Sequence, residues 1–222
     1  MRPVARHLMN LCGPRALLLA LALLFLTASG HAADEVETDV PVRVDDLQSM
    51  GVSVQAINDF VYKIEGEGAM FLINTAEGSV LVDTGTPYGQ HVEQKRRALE
   101  LATGPIKKII VTHAHNDHSG GLPLWKREID TGEVEYVGHH RYGYMARLQQ
   151  DLLPYFKTRY KVLYPDRVSL APEPPRPYWN MQPTRQVYPG SNYEFELGGV
   201  KFVVIAPENG GEGEDGVLLW LP

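Results

Sequence analysis

Short apolar runs broken by glycines alternate with stretches of mixed polarity. Residues 59–64 (DFVYKI) and 69–73 (AMFLI) are rich in β-branched and aromatic types, and the turn EGEG lies between them, which predicts a hairpin. SVLVD at 79–83 is a further short strand, ending in Asp83-Thr84-Gly85 where the chain must turn. Residues 88–102 place Val92, Leu99 and Ala102 among charged residues at helical spacing, and Gly104-Pro105 stops that helix. KKIIVT at 107–112 predicts a buried strand. GLPLWKREI at 121–129 predicts a helix, EVEYVG at 133–138 a strand, and 139–161 a longer helix carrying Tyr142, Tyr144, Tyr155, Phe156 and Tyr160. Seven prolines fall within 164–190, which predicts an extended, mostly irregular connection and a candidate lid over a cleft. YEFEL, Gly198-Gly199 and VKFVVIA form a predicted tight hairpin, and GVLLWLP at 216–222 one more strand. Alternating strands and helices predict an α/β fold.

Residues 1–33 stand apart from this pattern. Arg2, Arg6 and Arg15 precede a 13-residue apolar run, ALLLALALLFLTA at 16–28, short of the roughly 20 residues that span a bilayer. Small residues, ASGHAA, follow it, and then the acidic DEVE from Asp34. A positive start, a short apolar run and a small-residue cleavage site predict a secretory signal peptide cut after Ala32 or Ala33; a retained membrane anchor is the competing reading. The expected organisation is a leader at 1–33 and one domain at 34–222, periplasmic or secreted, with no stable membrane anchor after cleavage.

Composition narrows the function. The 222 residues are 44% hydrophobic and 22% charged, which is enough to bury a core. The net charge is −6, and loss of the leader removes three arginines and no acid, taking it to −9. An acidic chain with no Lys/Arg-rich run is not built to grip nucleic-acid phosphates, so a small-molecule substrate is expected and nucleic acid is not. Cys12 is the single cysteine. A disulfide framework, a Cys-rich zinc finger and a Cys-X-X-Cys redox site are thereby excluded. The mature chain, without cysteine, relies on its core or on a metal for stability. Its oligomeric state is not encoded in any feature of this kind.

The chemistry is concentrated in residues 112–121, THAHNDHSGG. His113, His115, Asp117 and His118 fall within six positions, and imidazole and carboxylate are ligand types that suit zinc. His113 and His115, at i and i+2, face the same way in extended backbone. Asp117 and His118 are adjacent and point apart, so they could serve a second ion. A loop at the end of a parallel strand can present all four, with Gly120-Gly121 allowing a close turn.

THAHNDHSGG resembles the signature of the metallo-β-lactamase-fold superfamily of metallohydrolases, and LVDTG at 81–85 resembles the motif that precedes it. The order of hairpin, Asp strand, helix and His strand is also similar. The resemblance implies an αββα sandwich. Carried to this chain, it makes His113 and His115 ligands of a first zinc, Asp117 and His118 ligands of a second, and Asp83 a carboxylate that orients a ligand histidine. It further implies hydrolysis by metal-activated water, with Asp117 also orienting the attacking water. It does not specify the substrate.

Two departures from the family pattern matter. Most members carry a histidine in the loop before a strand like 216–222. Here that loop, PENGGEGEDG at 207–216, has none, and counting back from Pro222 puts Glu212 in its place. A glutamate there resembles the alkylsulfatase branch, and carboxylate oxygen binds zinc at about the distance of imidazole nitrogen. Glu214 and Asp215 are the next candidates; an acidic surface turn is the plain alternative. The family also continues with a bridging carboxylate and a last histidine. His91, His139 and His140 all precede the Glu212 loop, so the chain is read as the N-terminal half of the fold plus the start of the second half. The expectation is a zinc-dependent hydrolase with two ions in the full-length parent, acting on alkyl sulfate or related esters. Another hydrolase of the same fold, acting on a lactone, thioester, phosphoester or β-lactam, and a truncated metal-binding product without turnover are the alternatives. The aromatic residues of 142–164, with Tyr178 and Trp179, could line an apolar channel for an alkyl chain, but at helical spacing they are read first as core.

Overall fold

The computed structural model describes residues 51–87, 89–163, 180–208 and 210–222. The candidate leader at 1–33, and most of the proline-rich stretch with its candidate lid, lie outside the described residues. β1 (Val54–Ala56), β2 (Val61–Ile64), β3 (Met70–Thr75) and β4 (Gly78–Val82) form an antiparallel meander. α1 (Gln90–Leu101) then crosses to β5 (Ile106–Ile110), which pairs parallel to β4. The chain continues through α2 (Asn116–Ser119), a 3-10 turn at Leu122–Trp125 and α3 (Lys126–Asp130) to β6 (Glu135–His139), parallel to β5. α4 (Tyr142–Asp151) and α5 (Leu153–Leu163) precede β7 (Arg185–Val187), which completes a seven-stranded sheet in sequence order. β8 (Tyr193–Leu197), β9 (Val200–Ile205) and β10 (Leu218–Trp220) make a second, three-stranded antiparallel sheet in the order β10-β9-β8.

The alternation of side chains along each strand builds two cores. Leu72, Leu81, Ile109 and Tyr136 face the helices, where they meet Ala98, Leu122, Trp125, Ile129, Tyr142 and Ala146. Their chain neighbours Ile73, Val80, Val82, Ile110 and Val137 face the second sheet and pack on Phe202, Val204 and Val217. At about 1.5–3 kcal/mol for each large apolar side chain fully buried, both interfaces stabilise the central sheet. A strand buried on both faces reads as an apolar run, which is why β4, buried at all five positions, was legible; β5 carries Lys107 and Lys108 and turns apolar at Ile109 and Ile110. Among the described residues one helical layer lies over two stacked sheets, three of the four layers of the expected αββα sandwich. The outer face of β10 carries Leu218 and Trp220, each more than half exposed. Among the described residues, no helix is long and apolar enough to cross a membrane.

Four elements differ from the sequence expectation. The helix expected over 139–161 is two helices meeting at Leu152. Pro154, which lacks an N–H and whose ring opposes the carbonyl four residues earlier, cannot continue α4 but is tolerated in the first turn of α5. The helix expected over 121–129 opens instead as a 3-10 turn with Pro123 near its start. Strands β1 and β7 were not anticipated: the first is exposed along its whole length, and the second is three residues long and lies within the proline-rich stretch.

Candidate metal centre

The site lies at the C-terminal ends of β4 and β5, beside the start of β10. Val111 still bonds β6 through the Val137 carbonyl, and Val217 N–H donates to Thr112 O at 2.8 Å, so the segment leaving β5 is gripped from both sides. The backbone stays extended as far as His115 (φ −63°, ψ 148°), which caps α2. That extension turns His113 and His115 to the same side, and the short helix then carries Asp117 and His118 around to Asp83. Close backbone approaches hold the turn. A Cβ on Gly121 would lie 2.0 Å from the Thr84 carbonyl oxygen, and one on Gly68 would lie 1.8 Å from that of Asp117. Thr84 fastens α2 as well, its N–H donating to His118 O at 2.7 Å.

Asp83 sits at φ 61°, the left-handed region that aspartate tolerates better than most residues. This conformation directs its buried carboxylate beneath the His loop. Thr112 N–H donates to Asp83 Oδ1 at 2.7 Å and the Thr112 hydroxyl to Oδ2 at 2.9 Å. His118 Nδ1 lies 2.8 Å from the same Oδ2. With Nδ1–H donated to Asp83, the Nε2–H of His118 is directed at Asp117 Oδ2, 3.4 Å away. Thr112 works similarly on the other histidine. Its hydroxyl, with the proton on Asp83, accepts from His113 Nδ1 at 3.0 Å and leaves the lone pair on Nε2.

The free nitrogen of His113 meets a group that the sequence brings from far away. His113 Nε2 lies 2.9 Å from His115 Nδ1. Glu212 reaches both, its Oε2 3.6 Å from His113 Nε2 and its Oε1 3.5 Å from His115 Nδ1. Donor atoms about 2.0–2.2 Å from a tetrahedral zinc ion are separated by roughly 3.3–3.6 Å; the two Glu212 separations match that spacing, and the His113–His115 contact, a hydrogen bond at 2.9 Å, would open slightly as an ion took the place of its proton. Among the described residues it is the one group of three His, Cys, Asp or Glu donors that converges this way, all atoms lying within 4.8 Å of one another. Asp117 and His118 sit beside it, paired with each other, and His118 is paired with Asp83 as well.

The electrostatics divide along the same line. Burial lowers His113 to about 4, with the neighbouring His118 and His115 adding to the effect, so its ring is neutral at ordinary pH and able to ligate. Burial alone would lower His118 too, but the hydrogen bonds and charges of Asp117 and Asp83 outweigh it and raise His118 to about 10. Burial raises Asp83 despite those same partners. For Asp117, burial is outweighed by the His118 hydrogen bond and charge, and its carboxyl lies below the usual range.

The other candidates fall elsewhere. Glu214 pairs with Arg141 on the surface at 2.5 Å. Asp215 turns inward, its Oδ2 accepting Ala114 N–H at 2.7 Å, and burial raises it to about 6. His91 Nδ1 accepts Gly89 N–H. His139 is buried at the end of β6, and His140 stacks on Tyr188. Of the aromatic residues, Tyr142 is core and packs edge-on against Tyr136, whereas Tyr144 and Tyr155 are 61% and 60% exposed. The side chains of Tyr160, Tyr178 and Trp179 lie outside the described set. Thr112 and Asp215 are the participants that sequence reasoning did not assign; Thr112 stood within the motif, with its neighbours as the available signal.

Comparison with known proteins agrees with this geometry. The profile of the metallo-beta-lactamase superfamily matches residues 64–220, and the chain belongs to that superfamily. A linear primary-alkylsulfatase of Pseudomonas sp. is 35% identical over 69 residues, covering 28% of this chain and 12% of that protein. Among solved structures, the stereoselective inverting sec-alkylsulfatase Pisa1 from Pseudomonas sp. superposes with TM-score 0.52 at 18% identity, covering 77% of this chain and 30% of its own. A metallo-beta-lactamase of Cronobacter sakazakii superposes with TM-score 0.50 at 21% identity, covering 78% and 59%. The chain thus spans about an eighth of the length of the curated alkylsulfatase that it matches.

Proposed function

We propose that this chain carries the metal-binding part of a zinc-dependent hydrolase acting on alkyl sulfates or related esters. The observation that supports it is Glu212, whose carboxylate stands against both His113 and His115 where most relatives would present a third imidazole. The similarity to two alkylsulfatases favours the same branch. Zinc held there would supply a nucleophile near neutral pH by acidifying water, and would offset developing negative charge. The chain's own residues do the rest. Asp83 fixes Thr112, which holds His113 by Nδ1 with Nε2 turned to the triad, and Asp83 holds His118 by Nδ1. Asp117, 42% exposed at its side chain, is the carboxylate available to orient the attacking water. Asp117 and His118 are proposed as ligands of a second zinc ion. A leader at 1–33 would deliver the protein to the periplasm or outside the cell.

The test is zinc content by elemental analysis, with a parallel screen on alkyl sulfate, phosphoester, lactone and β-lactam substrates. Wild-type protein is expected to bind zinc and Glu212→Ala to lose it. Unchanged stoichiometry in Glu212→Ala removes Glu212 from the site, and turnover confined to another substrate class reassigns the branch.

A further inference from the structure

One buried carboxylate is unused by this chemistry. Asp215 is 2% exposed, on a loop whose other acids face solvent: the side chains of Glu212 and Glu214 are 69% and 62% exposed. Its Oδ2 accepts the backbone N–H of Ala114, 101 residues away in sequence. Ala114 is fully buried, between His113 and His115, so water cannot replace that acceptor without opening the loop. One step along, Val217 N–H bonds Thr112 O. The two bonds bracket His113 and lock the segment that bears the histidines to the segment that bears Glu212. The exposed Glu212 side chain takes its position from its loop rather than from packing around it.

We infer that Asp215 is a positioning residue for metal: by clasping the Ala114 amide it fixes His113 and His115 relative to Glu212, three residues upstream, and so sets the affinity of the triad. The inference rests on the metal reading above. Asp215 touches neither metal nor substrate; its effect passes through a peptide group. Outer partners of this kind change metal affinity by about 10–100-fold when removed.

Cobalt(II) serves as the probe, with the full chain and its variants Asp215→Ala, Asp215→Asn and Asp215→Glu. In metal-free protein, hydrogen exchange of the Ala114 amide is expected to quicken about tenfold or more in Asp215→Ala. Unchanged exchange overturns the clasp without reference to metal. Cobalt affinity is expected to fall about 10–100-fold in Asp215→Ala, with a changed visible spectrum as Glu212 drifts from the ion. Asp215→Asn, which keeps an acceptor oxygen at the same reach, should restore affinity to within about threefold. A purely structural role would lower the stability of the metal-free protein while leaving cobalt affinity and spectrum as in wild type, and that result overturns the proposal. If Asp215→Ala does not fold, Asp215→Glu decides: it keeps the charge but displaces the acceptor, and wild-type affinity there overturns the proposal as well. Wild-type protein that binds no cobalt defeats the metal reading and the positioning role together, whereas a wild type that binds while the variants match it defeats only the clasp.

Discussion

The two halves of the site are built on opposite plans. Asp83, Thr112, Asp117 and His118 form a hydrogen-bonded unit that is complete without metal: a buried carboxylate, three donations to it and a histidine raised to about 10. His113, His115 and Glu212 form an open triad, with a neutral His113 and a solvent-facing glutamate that meet only because β10 returns beside β5. The first half resembles structure and the second resembles a receptor. A cation at the triad displaces only the proton shared between His113 and His115, whereas one at His118 must displace a proton held by two carboxylates. The difference teaches that the same motif can stabilise the fold at one end and bind at the other.

The largest expected effect breaks the closed half. Asp83→Ala deprives Thr112 N–H, the Thr112 hydroxyl and His118 of their common acceptor in a buried setting. Metal-free stability should fall by about 3–5 kcal/mol, read as the denaturant midpoint. Glu212→Ala, at a side chain 69% exposed, should change metal-free stability by less than about 0.5 kcal/mol. Equal losses in the two variants would erase the distinction.

Metal affinity reverses the ranking. Zinc binding worth about 10–16 kcal/mol over four ligands assigns roughly 3 kcal/mol to each, which is about a hundredfold. His113→Ala and Glu212→Ala should each weaken zinc by that order, measured by competition with a chromophoric chelator. Asp117→Ala should leave the first equivalent of zinc within about tenfold. A hundredfold loss in Asp117→Ala would make the triad dependent on its neighbour.

Thr112 carried no mark of its own in the sequence, but three residues of the closed half, Asp83, Asp117 and His118, were legible because they lie in one run with it or at a strand end. His113 and His115 were equally plain. Glu212 emerged only by counting back from Pro222, since an acid in a glycine-rich turn carries no local mark of binding. Asp215 could not be told from Glu214 at all: one points into the protein and the other to Arg141, and that choice is made by tertiary contacts 101 and 73 residues away. Strands β4 and β9 announced themselves as largely apolar runs and β5 by the apolar end that follows its two lysines, whereas β1 has no buried face to leave a period in the sequence. Pro154 was visible, yet its consequence, a break rather than a bend in the helix over 139–161, depended on α5 starting afresh at Leu153.

A smaller effect concerns pH. His91, on α1, is lowered to about 4 by burial. The unfolded chain takes a proton there near pH 6.5 and the folded protein does not. Stability is therefore full above about pH 6.5 and declines as pH falls towards 4, by about 1–2 kcal/mol at pH 5. His91→Gln should flatten that part of the metal-free stability profile. An unchanged slope between pH 6.5 and 4 assigns the acid sensitivity to other groups.

The smallest effect sharpens the comparison by asking what holds the open half. Among the described residues, two side-chain hydrogen bonds tie the 207–216 loop sideways: Asp215 to the buried Ala114 amide, and Glu214 to Arg141 at the start of α4. The second is an ion pair between side chains 62% and 52% exposed. Solvent screens such a pair and its ordering costs side-chain entropy, leaving about 0–1 kcal/mol. Arg141 also donates its backbone N–H to His139 Nδ1, a bond that substitution of the side chain preserves. Arg141→Ala should therefore move metal-free stability by less than about 0.5 kcal/mol and cobalt affinity by less than about threefold, well below the change expected for Asp215→Ala. If Arg141→Ala weakened cobalt as strongly as Asp215→Ala, the surface pair would be what presents Glu212 to the histidines, and the open half would be held from outside rather than from beneath.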